Sequence, residues 1–430
     1  MTQHRFARIG LLLAAIGLGA VPALVQTAHA QDKQAAAAPQ ETVRKEMVKF
    51  LDSKILAPLL DAKKYGEVNA LLDQADAMPN KTPYEQYFIN RMRLATALGM
   101  GDKPKLIEML EYVLASGRLE KEEKAKFTQA LAGYYQEQKN YPKTIENLQK
   151  YSELSGDPKV ARQIMAIRFE SGDYKGVQAD LLKKLNDSIK ANQPMTREEL
   201  HMLADASHRL KDKATYLTAL EGLVRWHPRD RYWSDMLYRT RGKENYSTRF
   251  SADIIRLQKV ATTKMEEQDY VELAEVDQLE GQFIEGKAVL DAGIANGAVT
   301  QNAKIKKLKG ELDRQAADDM KNIASSESSA RKAKNGTGMV NLGYAFVTMG
   351  QYDKGIQLIQ DGIAKGGLKN AEDAKLRLGY SYAMAGKKDE AIKILETVQG
   401  ADGRADLARY WILWVNRPYP ATAGDDEKQG

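Results

Sequence analysis

At 430 residues the chain is too long for one ordinary hydrophobic core, so it is either several domains or a repeat array. Hydrophobic residues at 43% and charged residues at 28% suit a folded chain and exclude wholesale disorder. Cys is absent, which excludes disulfides, thiol nucleophiles and Cys-ligated zinc, and a net charge of +6 spread along the chain is too small to point to nucleic acid.

Residues 1–30 read as a secretory signal. Arg5 and Arg8 make a basic start, an apolar run from Ile9 to Val25 follows, and Ala28-His29-Ala30 is the small-x-small pattern before a cleavage point. The cut is expected after Ala30, and a periplasmic location follows from it. Gly10, Gly17, Gly19 and Pro22 make the run a poor membrane anchor, and no later stretch is long and apolar enough to span a bilayer. Loss of Arg5 and Arg8 leaves 62 basic against 58 acidic side chains, a net +4. Residues 31–40 are a low-complexity linker.

From Glu41 the apolar residues recur at i, i+3, i+4 and i+7, the period of amphipathic helices, with breaks at Gly, Pro or Asn. The expected class is all-α. Residues 41–300 read as an array of degenerate helix hairpins. Weak copies start near Ile55 and Leu94, and clearer ones hold Leu131, Tyr135, Tyr141, Ile145 and Leu148, then Ile164, Gly172, Tyr174, Val177 and Leu181. Others hold Leu203, Ala204, Tyr216, Leu220 and Leu223 with Pro228, then Leu273, Ala274, Gly281, Phe283 and Leu290. Residues 301–335 read as one long charged helix without an internal turn. Its basic residues are interrupted by Glu311, Asp313, Asp318, Asp319 and Glu327, so an ion-paired solvated helix is expected over a lipid-binding one.

Residues 336–415 hold the clearest pair. Leu342-Gly343-Tyr344-Ala345-Phe346, Gly350-Gln351-Tyr352, Gly355-Ile356 and Ile359 realign with Leu378-Gly379-Tyr380-Ser381-Tyr382, Gly386-Lys387-Lys388, Ala391-Ile392 and Leu395. The offset of about 36 residues is near the period of about 34 for tetratricopeptide (TPR) repeats, and the spacing resembles that family. Small residues (Ala204, Ala274, Gly343, Gly355, Gly379, Ala391) are expected where the two helices of a hairpin touch. The resemblance implies a right-handed α-α superhelix, a TPR-like solenoid. Ala405–Val415 is expected to cap it, and residues 416–430 read as a polar tail.

The mature chain is also similar to a group of exported proteobacterial TPR proteins with no assigned activity. The similarity lies in Pro79-Asn80-Lys81-Thr82-Pro83-Tyr84-Glu85, in Val340–Tyr344 with Gly362–Lys369, and in Glu372–Leu376.

No nucleophile elbow, zinc-protease, phosphate-loop or dinucleotide motif is present, so no catalytic residue and no cofactor is expected. His201, Asp205 and His208, at i, i+4 and i+7, project from one helix face and suit a divalent metal by type. Seven residues is wider than the usual metal clip, so an exposed polar face is the plainer reading. In TPR proteins the first helix of each hairpin lines a concave groove that takes peptides. That register places Tyr344 and Tyr380 inside, with Val340, Leu376 and Met384 beside them. Upstream it places Gln129, Gln136, Arg162, His201, Asp205, His208 and Arg209 there. Tyr344 and Tyr380 fit repeat packing equally well, because Phe346 and Tyr382 hold the neighbouring aromatic positions.

The expected function is an exported scaffold that binds a protein or peptide of the cell envelope through its concave face. A structural spacer in an envelope or polysaccharide-export assembly is the alternative, and a metal-binding protein at His201, Asp205 and His208 the third reading.

Overall fold

The structure, a computed structural model, describes residues 41–417; the leader, the linker and tail residues 418–430 lie outside the described residues. Every regular element among the described residues is helical, as the apolar period predicts. The chain divides into two compact units at Asp173/Tyr174.

Unit 1 holds α1 (Lys45–Leu51), α2 (Ser53–Asp61), α3 (Tyr65–Asp76), α4 (Pro83–Met100), α5 (Lys103–Ala115), α6 (Lys121–Glu137), α7 (Tyr141–Ser155) and α8 (Lys159–Glu170). The Pro79–Glu85 stretch proves to be a helix start. Thr82 Oγ1 accepts from the Glu85 amide at 3.1 Å, and Glu85 Oε2 accepts from the Thr82 amide at 2.9 Å. Pro83 fills the first helical position, where no amide hydrogen is required. The buried Glu85 also takes the Arg44 guanidinium at 3.0 Å, while that guanidinium donates to the carbonyls of Pro79 and Asn80. The motif therefore ties the first helix to the fourth. Met47, Leu56, Val68, Leu72 and Ile89 form one core, and Leu94, Leu110, Val113, Phe127, Leu131 and Tyr135 the next. No hairpin buries its apolar face alone, so each core belongs to neighbouring pairs.

Unit 2 holds α9 (Tyr174–Ala191), α10 (Arg197–Arg209), α11 (Lys213–Trp226), α12 (Asp230–Arg241), α13 (Ser251–Ala261), α14 (Glu267–Glu280) and α15 (Phe283–Ala295). It continues with α16 (Ala303–Lys332), α17 (Thr337–Thr348), α18 (Tyr352–Lys365), α19 (Ala371–Met384), α20 (Lys388–Leu395) and α21 (Arg404–Val415). The hairpin turns share one backbone device: Gly350 and Gly386 are left-handed, and Lys139 and Lys211 adopt the same region at equivalent turns.

The small residues do what their spacing predicts. A Cβ on Gly355 would stand 2.5 Å from the Gly343 carbonyl oxygen and 2.8 Å from the Val347 amide nitrogen. Two turns along, Gly336 and Gly362 meet in the same way, which makes the pair antiparallel. Gly355→Ala is expected to cost about 1–3 kcal/mol through overpacking, read from the urea midpoint. Gly310→Ala is the control: it sits in α16 with open space around it and should be neutral or gain up to about 1 kcal/mol. Equal losses for both would remove the close approach as the cause.

The long helix α16 is continuous over thirty residues. Ile305, Leu308, Leu312 and Ala316 bury its first half, and no side chain of residues 317–329 is buried. Two of its lysines are ion-paired: Lys309 with Asp291 (2.6 Å) and Asp313 (3.0 Å), and Lys304 with Glu275 (2.7 Å).

The C-terminal helix does more than cover the last repeat. Besides α19 and α20, α21 packs on α11 and α13. The Tyr410 hydroxyl bonds to Thr240 Oγ1 at 2.9 Å, Trp414 Nε1 donates to the Val260 carbonyl at 2.9 Å, and Arg409 makes a two-pronged bond to Glu221 at 2.8 Å. The last repeats and the middle of unit 2 are thereby joined.

Candidate functional site

Helix α13 is buried on every side from Ala252 to Leu257, with Ala252, Ile254, Ile255 and Leu257 as its apolar members. Into this helix the sequence sets Asp253 and Arg256, three residues apart and both buried. Arg256 Nη1 meets Asp253 Oδ1 at 3.1 Å. Its Nη2 meets Asp277 Oδ1 of α14 at 2.5 Å and Glu285 Oε2 of α15 at 2.9 Å. Three carboxylates thus share one guanidinium away from water. Burial works against the Arg256 charge, but Glu285 and the groups around it outweigh that and hold the guanidinium firmly protonated. Burial, and next the charge of Glu285, push the Asp277 carboxyl well above the usual carboxylate range despite the pull of Arg256. Asp277 Oδ2 is buried without a hydrogen-bond partner.

The inner-face residues of the C-terminal pair close over this centre. The Tyr344 hydroxyl donates to Glu285 Oε1 at 3.1 Å, and the Tyr380 hydroxyl donates to Asp253 Oδ1 at 3.0 Å. The two rings meet edge to face at 5.5 Å, Tyr380 stacks on Trp411 at 5.3 Å, and Arg256 lies 5.0 Å from the Tyr344 ring centre. Tyr344 and Tyr380 are each 1% exposed; Val340 and Leu376 are buried with them and Met384 partly so. Of the two placements open to these tyrosines, burial selects packing. The face on which they lie is filled by the chain's own α13, α15 and α21 instead of standing open.

The upstream positions differ. In unit 1, Gln129 on α6 and Arg162 on α8 are exposed, and Gln136 is partly buried. In unit 2, Asp205, His208 and Arg209 are exposed along α10, while His201 is partly buried. His201 Nε2 lies 2.8 Å from the Tyr232 hydroxyl, which accepts from Arg231 at 3.0 Å. The Tyr232 hydroxyl thus bonds to both Arg231 and His201. Burial, reinforced by the charge of Arg231, lowers the His201 pKa and favours the neutral imidazole. His201 Nε2 is thus engaged, and among the described residues no three His, Asp or Glu side chains are grouped to hold an ion.

His208 lies edge-on to Tyr216 at 6.3 Å, and Arg209 lies 5.6 Å from the Tyr174 ring centre. The Tyr216 hydroxyl donates to Asp235 at 2.9 Å, and Arg239 binds Asp235 at 2.6 Å while lying 4.1 Å from the Tyr216 ring. Beside Arg239, and three residues from Asp235, Tyr238 is 79% exposed. A polar and aromatic strip therefore runs from α10 to α12. Sequence reading found its α10 half and missed Tyr216, Asp235, Tyr238 and Arg239. It missed the buried centre as well, although Asp253 and Arg256 flanking Ile254-Ile255 were a visible signal.

Residues 373–400, which span α19 and α20, match the "Tetratricopeptide repeat" family. No curated protein matches the chain. Among solved structures, the chain is similar to the TPR2AB domain of yeast Sti1 in a pHSP90 complex, at 11% identity over 68% of this chain and 98% of that one, with a TM-score of 0.23. It is also similar to yeast Tom70, at 13% identity over 86% of this chain and 96% of that one, with a TM-score of 0.23. That matched segment lies within helix hairpins, and every regular element among the described residues is helical.

Proposed function

We propose that the protein is a non-catalytic TPR-type scaffold that holds a protein or peptide partner against the strip of unit 2 formed by α10, α11 and α12. The observation that carries this reading is the exposed row of Asp205, His208 and Arg209 continued through Tyr216 and Arg239 to the outstanding ring of Tyr238. Tyrosine and arginine supply large contact area at small entropic cost, and such residues dominate binding energy at interfaces. Arg162 is a separate candidate contact on unit 1.

The joint change His208→Ala with Tyr238→Ala is expected to leave helicity unchanged and stability within about 0.5 kcal/mol, because both side chains face solvent. Recovery of the partner from native envelope extract should fall by at least about tenfold, as for loss of one strong interface anchor. Full recovery with the double variant would remove this strip from the binding surface.

The envelope as the place of action rests on the leader. Protein isolated from cells should begin at Gln31, and an intact Met1 in the mature chain would end that part of the proposal.

A further inference from the structure

The C-terminal repeat pair reaches the rest of unit 2 through the span 317–329 of α16, which buries no side chain. Its inner face then rests on α13 and α15, and the middle of that contact is ionic. The charged and titratable groups there come from five helices: Asp253 and Arg256 from α13, Asp277 and Glu280 from α14, Glu285 from α15, Tyr344 from α17, and Arg377 and Tyr380 from α19. Arg377 lies 5.0 Å from the Tyr344 ring and donates to Asn341 at 3.2 Å. Glu280 stands 4.0 Å from Arg256 and is partly exposed. The other charges near α14 are already engaged: Glu311 of α16 with Gln278, Lys304 with Glu275, and Arg241 with Glu272. Trp411 of α21 adds no charge. Four carboxylates therefore face two guanidiniums, and one carboxylate oxygen, Oδ2 of Asp277, is buried with no partner.

We propose that the docking of the C-terminal repeat pair on α13 and α15 is a pH-sensitive clasp, closed while Asp277 carries a proton and loosened when it ionises. With Asp277 neutral, the two guanidiniums balance Asp253 and Glu285, and only the partly exposed Glu280 is left over. Ionisation adds a third buried negative charge that only Arg256, already shared with Asp253 and Glu285, can meet, a costly state in a dry interior. Burial raises the Asp277 carboxyl above its ordinary 3.8 in the docked state. A group raised in this way stabilises docking fully below the undocked value, and the contribution fades as pH climbs through the raised one. Opening bares Val340, Tyr344, Leu376 and Tyr380, the inner face of the pair.

Hydrogen exchange of the intact protein, followed by mass spectrometry and corrected for the intrinsic rate at each pH, tests this as pH is raised from about 4, near the ordinary aspartate value, to about 9. Protection of 251–261, 337–348 and 371–384 is expected to fall about tenfold across that range while 83–100 in unit 1 holds. Asp277→Asn should abolish the fall and keep the clasp closed at the alkaline end. A wild-type protein with flat protection in the three segments overturns the proposal whether or not the variant folds. So does a folded Asp277→Asn protein that loses protection with pH as the wild type does.

Discussion

Arg256→Ala is expected to destabilise unit 2 by about 3–5 kcal/mol, the range for removing one partner from a buried ion pair. The guanidinium is 4% exposed and is the group that Asp253, Asp277 and Glu285 share. Without it, Asp253 and Glu285 lose their counter-charge beside the Asp277 carboxyl, and the tyrosines above can donate only two hydroxyl protons. The damage comes from stranding the carboxylates more than from losing attraction. Arg256→Met combined with Asp253→Leu and Asp277→Leu should therefore recover much of the loss, since apolar replacement of a whole buried network is often tolerated. Urea unfolding followed by circular dichroism reads both proteins, with unit 1 treated as a separate transition if the curve requires it. A loss below about 1 kcal/mol for Arg256→Ala would show that the carboxylates do not depend on this counter-charge.

Trp411→Ala is expected to cost about 3–5 kcal/mol, as for truncating a large core aromatic. Trp411 is wholly buried, stacked on Tyr380 and edge-on to Trp414 at 5.4 Å. Its indole Nε1 is buried without a partner. Trp411→Phe keeps a ring against Tyr380 and removes that orphaned donor, whose burial itself costs about 1–3 kcal/mol. The phenylalanine variant should therefore lose much less than the alanine one. Thermal unfolding of the two separates ring packing from the polar edge, and equal losses would refute the stacking account.

Both variants act where distant parts of the chain meet, and this bears on what was legible beforehand. The hairpins of 342–395 could be read directly: Gly343 and Gly355 allow close helix contact, Gly350 and Gly386 turn the chain, and Ile359 and Leu395 fill the groove between the pair. Those signals are local, because a helix face and a turn are set within a few residues. The α10 half of the exposed strip was legible for the same reason, since His201, Asp205 and His208 share a face by helical period alone. Tyr238 was not, because α12 carries a weak repeat pattern and its outward ring looks in sequence like any packing aromatic.

Sequence alone determined the all-helical class, the hairpin unit, the close-contact glycines and the side of each helix on which Tyr344 and Tyr380 lie. Tertiary structure alone decided what those tyrosines face. Their carboxylate partners are 59 and 127 residues away, and a helical period carries no information about which distant helix returns to cover a face. The physical reason is that periodicity records burial but not the burying partner, and the partner is chosen by how α16, α19 and α21 carry the chain back onto α13 and α15.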